Sequence, residues 1–325
     1  MIPTDSLTAS EKPERFKQAL HKRLRWEDLD VEYLRQLIEF AKAEDTEGAG
    51  LKALPKQPGD VTTHLLGDVH GTARLITRDA ITVAGLPLIP LILEVYGGDV
   101  HFNAFKRDGA QVLPGEVLGE LEGSVQTMLT AERVLLNFLQ RLSGVATITQ
   151  RYVQALGWSG TKLLDTRKTT PAYRVLEKYA VVCGGGWNHR IGVYDRIMLK
   201  DNHLAASGSF VGLSLTEAIR KARNAAPHLP IEVEIDAMGQ LEPALAGEPD
   251  VIMLDNFSEE NLLEAVEIIG NRAWTEASGG ITLETLGRLG RIGLDFVSTG
   301  AITHQAVWVD IGLDWRASHS ADSDD

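Results

Sequence analysis

The sequence predicts an α/β protein whose second half is built on a parallel sheet. Six short apolar runs of strand length recur between residues 162 and 301, and each of them ends in polar residues. Helical stretches, such as Ser214–Ala226 and Ser258–Gly270, separate most of these runs. Strands that alternate with helices imply a parallel sheet. The length of 325 residues allows two domains, or one barrel with an attached module.

The six runs also indicate where a site would lie. Their carboxyl ends carry Arg, Lys, Glu, Asp or Ser-Gly-Gly, which fits a (β/α) barrel, because active sites gather at that rim. An open doubly wound sheet would gather ligands at strand ends as well. No GxGxxG motif opens a helix, however, which disfavours a dinucleotide-binding fold. The runs are Lys162–Lys168, Arg196–His203, Ile231–Asp236, Val251–Asn256, Trp274–Gly280 and Asp295–Ala301.

The first half of the chain mixes helices with short strands. The apolar spacing predicts an amphipathic helix from Trp26 to Ala43, and a long helix from near Thr130 to about Leu156. Strand-like pieces lie between these helices. We therefore expect a polar, disordered leader (1–25), an N-terminal α/β domain (26–130), a barrel domain with the active site (131–304), a segment that packs back on the N-terminal domain (305–316) and an acidic, disordered tail (317–325).

Composition excludes several classes of protein. The formal net charge of −13 argues against a broad basic face for nucleic acid. A single cysteine, Cys183, excludes an intramolecular disulfide and a zinc site built from cysteines. The N-terminus has no signal-peptide pattern, and the apolar run Val83–Gly97 is shorter than the ~20 residues that span a bilayer. We expect a soluble, cytoplasmic protein.

Positive charge is concentrated in one segment. Residues 133–200 hold eleven basic and three acidic residues, so this segment carries +8 and the rest of the chain −21. Arginine clamps carboxylates and phosphates in a bidentate way, and lysine acts as a point charge. We therefore expect a small polyanionic ligand, whereas the helical Arg151, Arg174 and Lys178 are expected on the solvated surface. The basic residues at strand ends or in glycine-rich turns are Arg167, Lys168, His189, Arg190 and Lys200.

Carboxylates and glycine turns follow the later strands. Glu234 and Asp255 suit a divalent cation or sugar hydroxyls beside a polyanion, while Glu232 is expected at a solvated strand start. The turns Ser278–Gly280 and Thr299–Ala301 close the last two predicted strands. Exposed backbone N–H groups in such turns bind phosphate, and barrels often place a phosphate site there.

Taken together, these strings resemble the quinolinate phosphoribosyltransferase family. The resemblance runs from about residue 26 to residue 315, and the order and spacing of the motifs make it specific. The motifs are GDVTT (59–63), ERVLLNFLQRLSGVAT (132–147), DTRKTTP (165–171), LEKYAVVCGGGWNHR (176–190), LKDNH (199–203), EVEID (232–236), LDNF (254–257), EASGGI (276–281) and STGAITH (298–304).

The resemblance implies a fold and a reaction. The fold would be an N-terminal α/β sandwich-like domain followed by an incomplete TIM-like (β/α) barrel, assembled as a homodimer or larger oligomer. The reaction would join quinolinate to 5-phosphoribosyl 1-pyrophosphate, giving nicotinate mononucleotide, CO2 and pyrophosphate for NAD biosynthesis. Mg²⁺ would accompany the phosphoribosyl donor, and no organic cofactor is implied.

The resemblance also assigns roles to residues. Arg133 would reach into the site of the neighbouring subunit. Glu234 and Asp255 would approach the ribose hydroxyls and Mg²⁺, and they would be catalytic together with Lys168 and Lys200. The residues expected to bind quinolinate and pyrophosphate are Thr166, Arg167, Lys168, His189, Arg190 and Lys200, and those expected to hold the 5′-phosphate are Ser278, Gly279, Gly280, Thr299, Gly300 and Ala301.

Three other functions remain open at this point. The first is an enzyme of the same fold that acts on another anionic aromatic acid. The second is a Schiff-base aldolase that uses Lys200, because a lysine at a barrel strand end can be a nucleophile. The third is a non-catalytic anion-binding protein of this fold, which would leave the carboxylates and glycine turns without an evident use.

Overall fold

The structure, a computed structural model, describes residues 12–157, 159–200 and 214–315. The predicted tail (317–325), the first eleven residues of the predicted leader and residues 201–203 of the second predicted strand run lie outside the described residues. The chain divides into two compact units. We call them the parallel-sheet unit (residues up to 23, 151–169 and 186–301) and the antiparallel-sheet unit (24–150, 170–185 and residues from 302 on).

Twelve strands and ten helices are found in the described residues. The strands are β1 (His70–Thr77), β2 (Ile81–Thr82), β3 (Val100–Ala104), β4 (Gln111–Val112), β5 (Val117–Ser124), β6 (Lys162–Leu164), β7 (Ile197–Leu199), β8 (Ile231–Ile235), β9 (Val251–Asp255), β10 (Trp274–Ser278), β11 (Phe296–Ser298) and β12 (Ile311–Trp315). The helices are α1 (Lys17–Leu20), α2 (Val31–Glu47), α3 (Leu88–Tyr96), α4 (Val125–Leu156), α5 (Arg174–Cys183), α6 (Leu215–Ala225), α7 (Leu241–Ala246), α8 (Glu259–Ile269), α9 (Leu283–Leu289) and α10 (Ala301–His304).

The antiparallel-sheet unit is built on a four-stranded sheet of order β12-β1-β5-β3. Strand β12 returns from the end of the chain to pair with β1, with Thr77 opposite Ile311. Helix α2 begins later than the spacing predicts, because the Asp30 side chain caps it by accepting from the backbone N–H groups of Glu32 and Tyr33. The helix ends at Gly48, which has a φ of 70°.

The apolar run with two prolines forms helix α3. Pro87 precedes the helix, and Pro90 lies in its first turn. Proline is tolerated there because the first backbone N–H groups of a helix have no partner within it. Leu88, Ile89 and Ile92 are fully buried, so the run is a core helix. No helix in the described part of the chain is both long enough and apolar enough to cross a membrane.

The parallel-sheet unit has six strands in the order β6-β11-β10-β9-β8-β7. Strands β7 to β11 follow one another in space as they do in sequence, and β6 joins the far side of β11. This winding is that of a (β/α) barrel rather than of an open doubly wound sheet. In the described residues β6 and β7 end the sheet, so the barrel is incomplete. The predicted fold class is confirmed.

One face of this parallel sheet changes from apolar to polar along β9 and β10. Paired residues of parallel strands share a face, as do residues two apart on one strand. Strand β10 presents Trp274, Glu276 and Ser278 on this face in turn, beside Val251, Met253 and Asp255 of β9. Glu232 and Glu234 of β8 lie on the same face, because Glu232 pairs with Val251 and Glu234 with Met253.

Residues 12–22, which fall in the predicted leader, cover the apolar end of this face. Leu20 is fully buried in a cluster with Leu164, Val251, Trp274 and Phe296. The Trp274 indole N–H donates to the Pro13 carbonyl at 3.2 Å. Although residues 12–22 are mostly polar, Leu20 anchors them by burying its side chain beside aromatic rings.

Candidate active site

Acidic and basic side chains meet where β7 to β10 end. The Lys200 ammonium donates to the Glu234 carboxylate across the β7–β8 pair. Asp255 lies at the end of the neighbouring strand, on the same face as Glu234. The sequence therefore placed Lys200, Glu234 and Asp255 at one sheet edge, and the structure brings them together there.

The Ser278–Gly280 turn is held against Asn256. The backbone N–H of Asn256 donates to the Ser278 carbonyl at 3.0 Å, and its side-chain amide donates to the Asp255 carboxylate at 2.8 Å. Gly279 has a φ of 86°, and a Cβ at this position would collide with Asn256 Oδ1. Asn256 itself has a φ of 56°, which is uncommon for a residue other than glycine. This asparagine therefore links the carboxylate to the glycine turn.

The second glycine turn is more enclosed. Thr299, Gly300 and Ala301 are buried. The Thr299 N–H donates to the Leu164 carbonyl at 3.1 Å, and the Ala301 N–H donates to Thr299 Oγ1 at 3.2 Å. The turn is thus fixed to the end of β6, and two of its backbone donors already have partners within the chain.

Arg167 and Arg190 interact through their charges. Arg167 and Lys168 are exposed, and the Lys168 N–H donates to Thr166 Oγ1 at 3.1 Å. Arg190 is half-buried, and its pKa is lowered from the usual value, first by burial and then by the charge of Arg167. A bound anion would relieve this repulsion between like charges.

A buried aspartate fixes the turn that carries Arg190. The Asp165 carboxylate accepts from the Asn188 side chain at 2.8 Å and from the His189 N–H at 2.9 Å. Beyond Arg190, the Asp195 carboxylate accepts from the N–H groups of Ile191 and Gly192, at 2.8 and 3.0 Å. These contacts explain why an Asn-His-Arg turn can lie beside the DTRK segment.

His189 faces inward, toward buried charges. Its Nε2 lies 3.1 Å from Glu232 Oε2 and 3.5 Å from Glu276 Oε1. Burial opposes protonation of the imidazole, but Glu232 and Glu276 outweigh it and raise the pKa of His189. Burial disfavours the ionised Glu232 carboxylate, but the charges of His189 and Arg196 outweigh burial and lower the pKa of this carboxyl to about 2. The expectation of a solvated Glu232 was therefore wrong, because the residue is fully buried.

Arg133 belongs to the antiparallel-sheet unit, where it is exposed on α4. It lines an open cavity of about 660 Å³ together with Phe40 of α2 and Trp308. Both of these aromatic side chains are exposed, Phe40 to 74% and Trp308 to 51%. An exposed arginine with exposed aromatic rings around it has the composition of a protein interface.

Two residues of α5 are more buried than their charge suggests. Lys178 was expected on the surface, but it is fully buried, so that expectation was wrong. Glu177 is also fully buried, and it accepts from Arg141 Nε at 3.0 Å and from Thr170 Oγ1 at 2.8 Å. Arg141 also donates to the carbonyls of Thr303 and Ala306. Helical spacing could not reveal this network, because its members come from distant parts of the chain.

Sequence reasoning also missed three residues around the site, namely Arg196, Asn256 and Glu276. From the sequence, Arg196 was predicted only to begin a strand run, and Glu276 was noted only as part of the EASGGI motif. A possible signal was the alternation within WTEAS, which puts Glu276 on the face of Trp274 and Ser278. For Asn256 the sequence gives no sign of the positive φ.

Known proteins match the chain over most of its length. The family model "Quinolinate phosphoribosyl transferase, N-terminal domain" matches residues 60–143, and the corresponding C-terminal domain model matches residues 145–314. A probable nicotinate-nucleotide pyrophosphorylase (carboxylating) of Bacillus subtilis is 42% identical over 265 residues, which cover 81% of this chain and 90% of the relative. The nicotinate-nucleotide pyrophosphorylase (carboxylating) of Mycobacterium leprae is 40% identical over 284 residues, covering 85% and 98%.

A solved structure shares the architecture as well. The nicotinate-nucleotide pyrophosphorylase from Francisella tularensis superposes with a TM-score of 0.82 at 34% identity. The superposition covers 91% of this chain and 100% of that one.

Proposed function

Because the chain belongs to the quinolinate phosphoribosyl transferase family, as its motifs predict, we propose that it joins quinolinate to 5-phosphoribosyl 1-pyrophosphate. The products are nicotinate mononucleotide, CO2 and pyrophosphate, and the enzyme is a pentosyltransferase of NAD biosynthesis. The observation that carries the proposal is the meeting of Lys200, Glu234 and Asp255 at one sheet edge, beside the Ser278–Gly280 turn.

Basic side chains supply the charge that the two substrates require. Quinolinate brings two carboxylates, and the ribosyl donor brings several phosphate charges. Arg167 and Arg190 can each clamp a carboxylate or a phosphate with two parallel hydrogen bonds. Lys168 and Lys200 add point charges and Thr166 adds a hydroxyl, whereas the buried His189 supports this pocket from behind. The charge of Arg167, which after burial lowers the pKa of Arg190, supports the binding of an anion by these two side chains.

The carboxylate pair fits a divalent cation. Glu234 and Asp255 offer oxygen ligands on one face of adjacent strands, and Mg²⁺ prefers a few carboxylates together with substrate phosphate oxygens. When bound, Mg²⁺ would neutralise charge on the departing pyrophosphate. The Lys200 ammonium is paired with Glu234 at this edge. From the same position it can also contact an anion that is bound there. The same carboxylates can accept hydrogen bonds from the ribose hydroxyls.

Two glycine turns are assigned to the 5′-phosphate. Ser278, Gly279 and Gly280 form the more accessible turn, and Gly280 is exposed. Gly279 and Gly280 both have a positive φ, and backbone N–H groups in such turns can bind an anion. Thr299, Gly300 and Ala301 form the second, buried turn, which supports the first from the end of the neighbouring strand β11.

Positioning and electrostatics account for the chemistry without a covalent enzyme intermediate. The pyridine nitrogen forms a bond to C1 of ribose as the bond from C1 to the pyrophosphate oxygen breaks. The bond between ring carbon 2 and its carboxylate then breaks and releases CO2, leaving an electron pair on that carbon. The adjacent pyridinium nitrogen stabilises the pair until a proton from water replaces the carboxylate.

The assembly is proposed to be a homodimer in which Arg133 acts across the interface. The exposed Phe40 and Trp308 around Arg133 support an interface on this surface. Such an arrangement would bring a further cation to the partner's polyanion site.

The aldolase alternative is disfavoured by the contact of Lys200. A Schiff base requires a neutral amine, whereas the Lys200 ammonium is paired with the Glu234 carboxylate.

An activity assay distinguishes the proposed function from that of an enzyme acting on another anionic aromatic acid. We expect nicotinate mononucleotide from quinolinate, the ribosyl donor and Mg²⁺. Product from nicotinate but not from quinolinate would contradict the assigned substrate, and no product at any Mg²⁺ concentration would contradict the function.

A further inference from the structure

Four charged or titratable side chains are buried together beneath the rim of the parallel sheet. They are His189, Arg196, Glu232 and Glu276, and none of them is more than 5% exposed. Arg196 Nη1 lies 2.9 Å from Glu232 Oε2 and 3.2 Å from His189 Nε2. We call this set the buried quartet.

Glu276 is the unusual member of the buried quartet. It is fully buried, and neither of its carboxylate oxygens has a hydrogen-bond partner among the described residues. The titratable group that it faces is His189, whose Nε2 lies 3.5 Å from Glu276 Oε1. A buried carboxylate without hydrogen bonds is destabilising. Its charge acts on His189 at this short distance.

A metal ion is not the natural occupant of this cluster. Ligand atoms of His189, Glu232 and Glu276 lie within 4.8 Å of one another, a spacing that could hold a cation. The Arg196 guanidinium, however, already contacts both Glu232 and His189 Nε2. The guanidinium thus lies against two of the three ligand residues, and its charge would repel a metal ion.

The ring of His189 is engaged on both sides. Its Nε2 edge faces the two carboxylates, and its Nδ1 accepts the backbone N–H of Arg190 at 2.8 Å. In the neutral ring the proton therefore lies on Nε2 and points to Glu232. Arg196 contacts Arg190 as well, because its carbonyl accepts from Arg190 Nη1 at 3.5 Å. Two members of the quartet thus hold the backbone and the side chain of Arg190.

We propose that Glu232 and Glu276 are positioning residues that act through His189 on Arg190, while Arg196 holds Glu232 with its guanidinium and Arg190 with its backbone carbonyl. This inference rests on the proposed role of Arg190 in binding an anionic substrate. Carboxylates that face the Nε2–H make the ring more basic at Nδ1, as in carboxylate–histidine pairs behind metal sites. While the ring is neutral, a stronger acceptor at Nδ1 fixes the Arg190 backbone, and with it the direction of the guanidinium. On this account His189 itself supports the anion site from behind.

The substitution Glu276→Gln tests the proposal, because it keeps the shape of the side chain and removes its charge. We expect the KM for quinolinate to rise about tenfold, a ~1.4 kcal/mol loss of binding, while kcat changes less than about threefold. Glu264→Gln, the same chemical change on the exposed face of α8, should leave both constants unchanged. An unchanged KM in Glu276→Gln would overturn the proposal. So would a tenfold fall in kcat with no change in KM.

A double-mutant cycle separates positioning from a general structural role. If the quartet acts through Arg190, Glu276→Gln should have little further effect on quinolinate affinity in an Arg190→Ala background. Calorimetric titration with quinolinate measures this without turnover. Effects that simply add, as they do for independent sites, would contradict action through Arg190.

The state of the His189 ring gives a readout that does not depend on activity. In protein labelled with ¹⁵N-histidine, the signals missing from His189→Gln identify this ring. Above the pKa of the ring we expect Nδ1 to lack a proton and Nε2 to carry one. A proton on Nδ1 would overturn the proposal even if quinolinate is converted. The expected tautomer with no quinolinate turnover would instead contradict only the proposed function.

Discussion

Gly279 combines a φ of 86° with a Cα that faces Asn256 Oδ1. Gly280 offers a matched comparison, because its φ is 60° and a Cβ there would meet nothing within 4 Å. We expect Gly280→Ala to cost about 1–2 kcal/mol of unfolding free energy, through the left-handed backbone alone. Gly279→Ala should cost a further ~1–3 kcal/mol, because Asn256 must move. Urea unfolding measures both, and equal losses would contradict the close approach to Asn256.

Asp195 should make stability depend on pH. Burial opposes its ionisation, but the N–H groups of Ile191 and Gly192, together with Lys22, lower the pKa of its carboxyl below 3.8. A lowered pKa in the folded state contributes stability that is present above 3.8 and lost as the pH falls through the folded value. The difference in unfolding free energy between the natural chain and Asp195→Asn should therefore shrink on acidification.

The control for this experiment is Asp68→Asn, because the Asp68 side chain is 94% exposed. We expect its unfolding free energy to follow that of the natural chain from neutral to acidic pH. If the difference in unfolding free energy between the natural chain and Asp195→Asn stays constant as the pH falls, the hydrogen bonds of this turn do not stabilise the ionised Asp195 carboxylate.

At the scale of elements, residues 12–22 should stabilise the parallel-sheet unit. Leu20→Ala removes a fully buried side chain from the cluster with Leu164, Trp274 and Phe296. Such truncations cost about 2–5 kcal/mol, because a cavity remains. Gln18→Ala, on the exposed side of the same helix α1, should change the unfolding free energy by less than about 0.5 kcal/mol. Equal effects of the two substitutions would contradict the anchoring role of Leu20.

The elements of the parallel sheet could be predicted, because each strand is an apolar run that ends in a polar residue. All six strands lie within the predicted runs, and the helix predicted over Ser214–Ala226 is found at Leu215–Ala225. The start of α2 was missed, because a side-chain cap at Asp30 decides it. Helix α3 was missed because two prolines obscure its pattern.

The rim of the site could also be predicted, whereas what lies beneath it could not. Lys200, Glu234 and Asp255 follow their strands directly, so parallel pairing brings them together. The burial of Glu232 and Lys178 depends on which segments cover them, and a strand or helix period gives no information on that. Arg196 and Glu276 are 80 residues apart in sequence, and only the folded sheet places them beside one histidine.

At the scale of the whole molecule, the proposed dimer predicts complementation between inactive chains. Arg133→Ala and Arg190→Ala chains should each lose most activity alone. In a mixed dimer, one site would receive an intact Arg133 from one chain and an intact Arg190 from the other. We therefore expect mixing to restore up to about half the natural activity per site in the heterodimer, measured after subunit exchange. No recovery in a verified heterodimer would contradict the action of Arg133 across an interface.

The proposed reaction couples ribosyl transfer to loss of the 2-carboxylate in one site. Its most direct measurement is the release of labelled CO2 from quinolinate, followed together with nicotinate mononucleotide and pyrophosphate. We expect all three products in a 1:1:1 ratio, and no CO2 when the phosphoribosyl donor is omitted, because the pyridinium nitrogen that stabilises the carbanion forms only on transfer. Release of CO2 without the donor, or pyrophosphate without the nucleotide, would contradict this account.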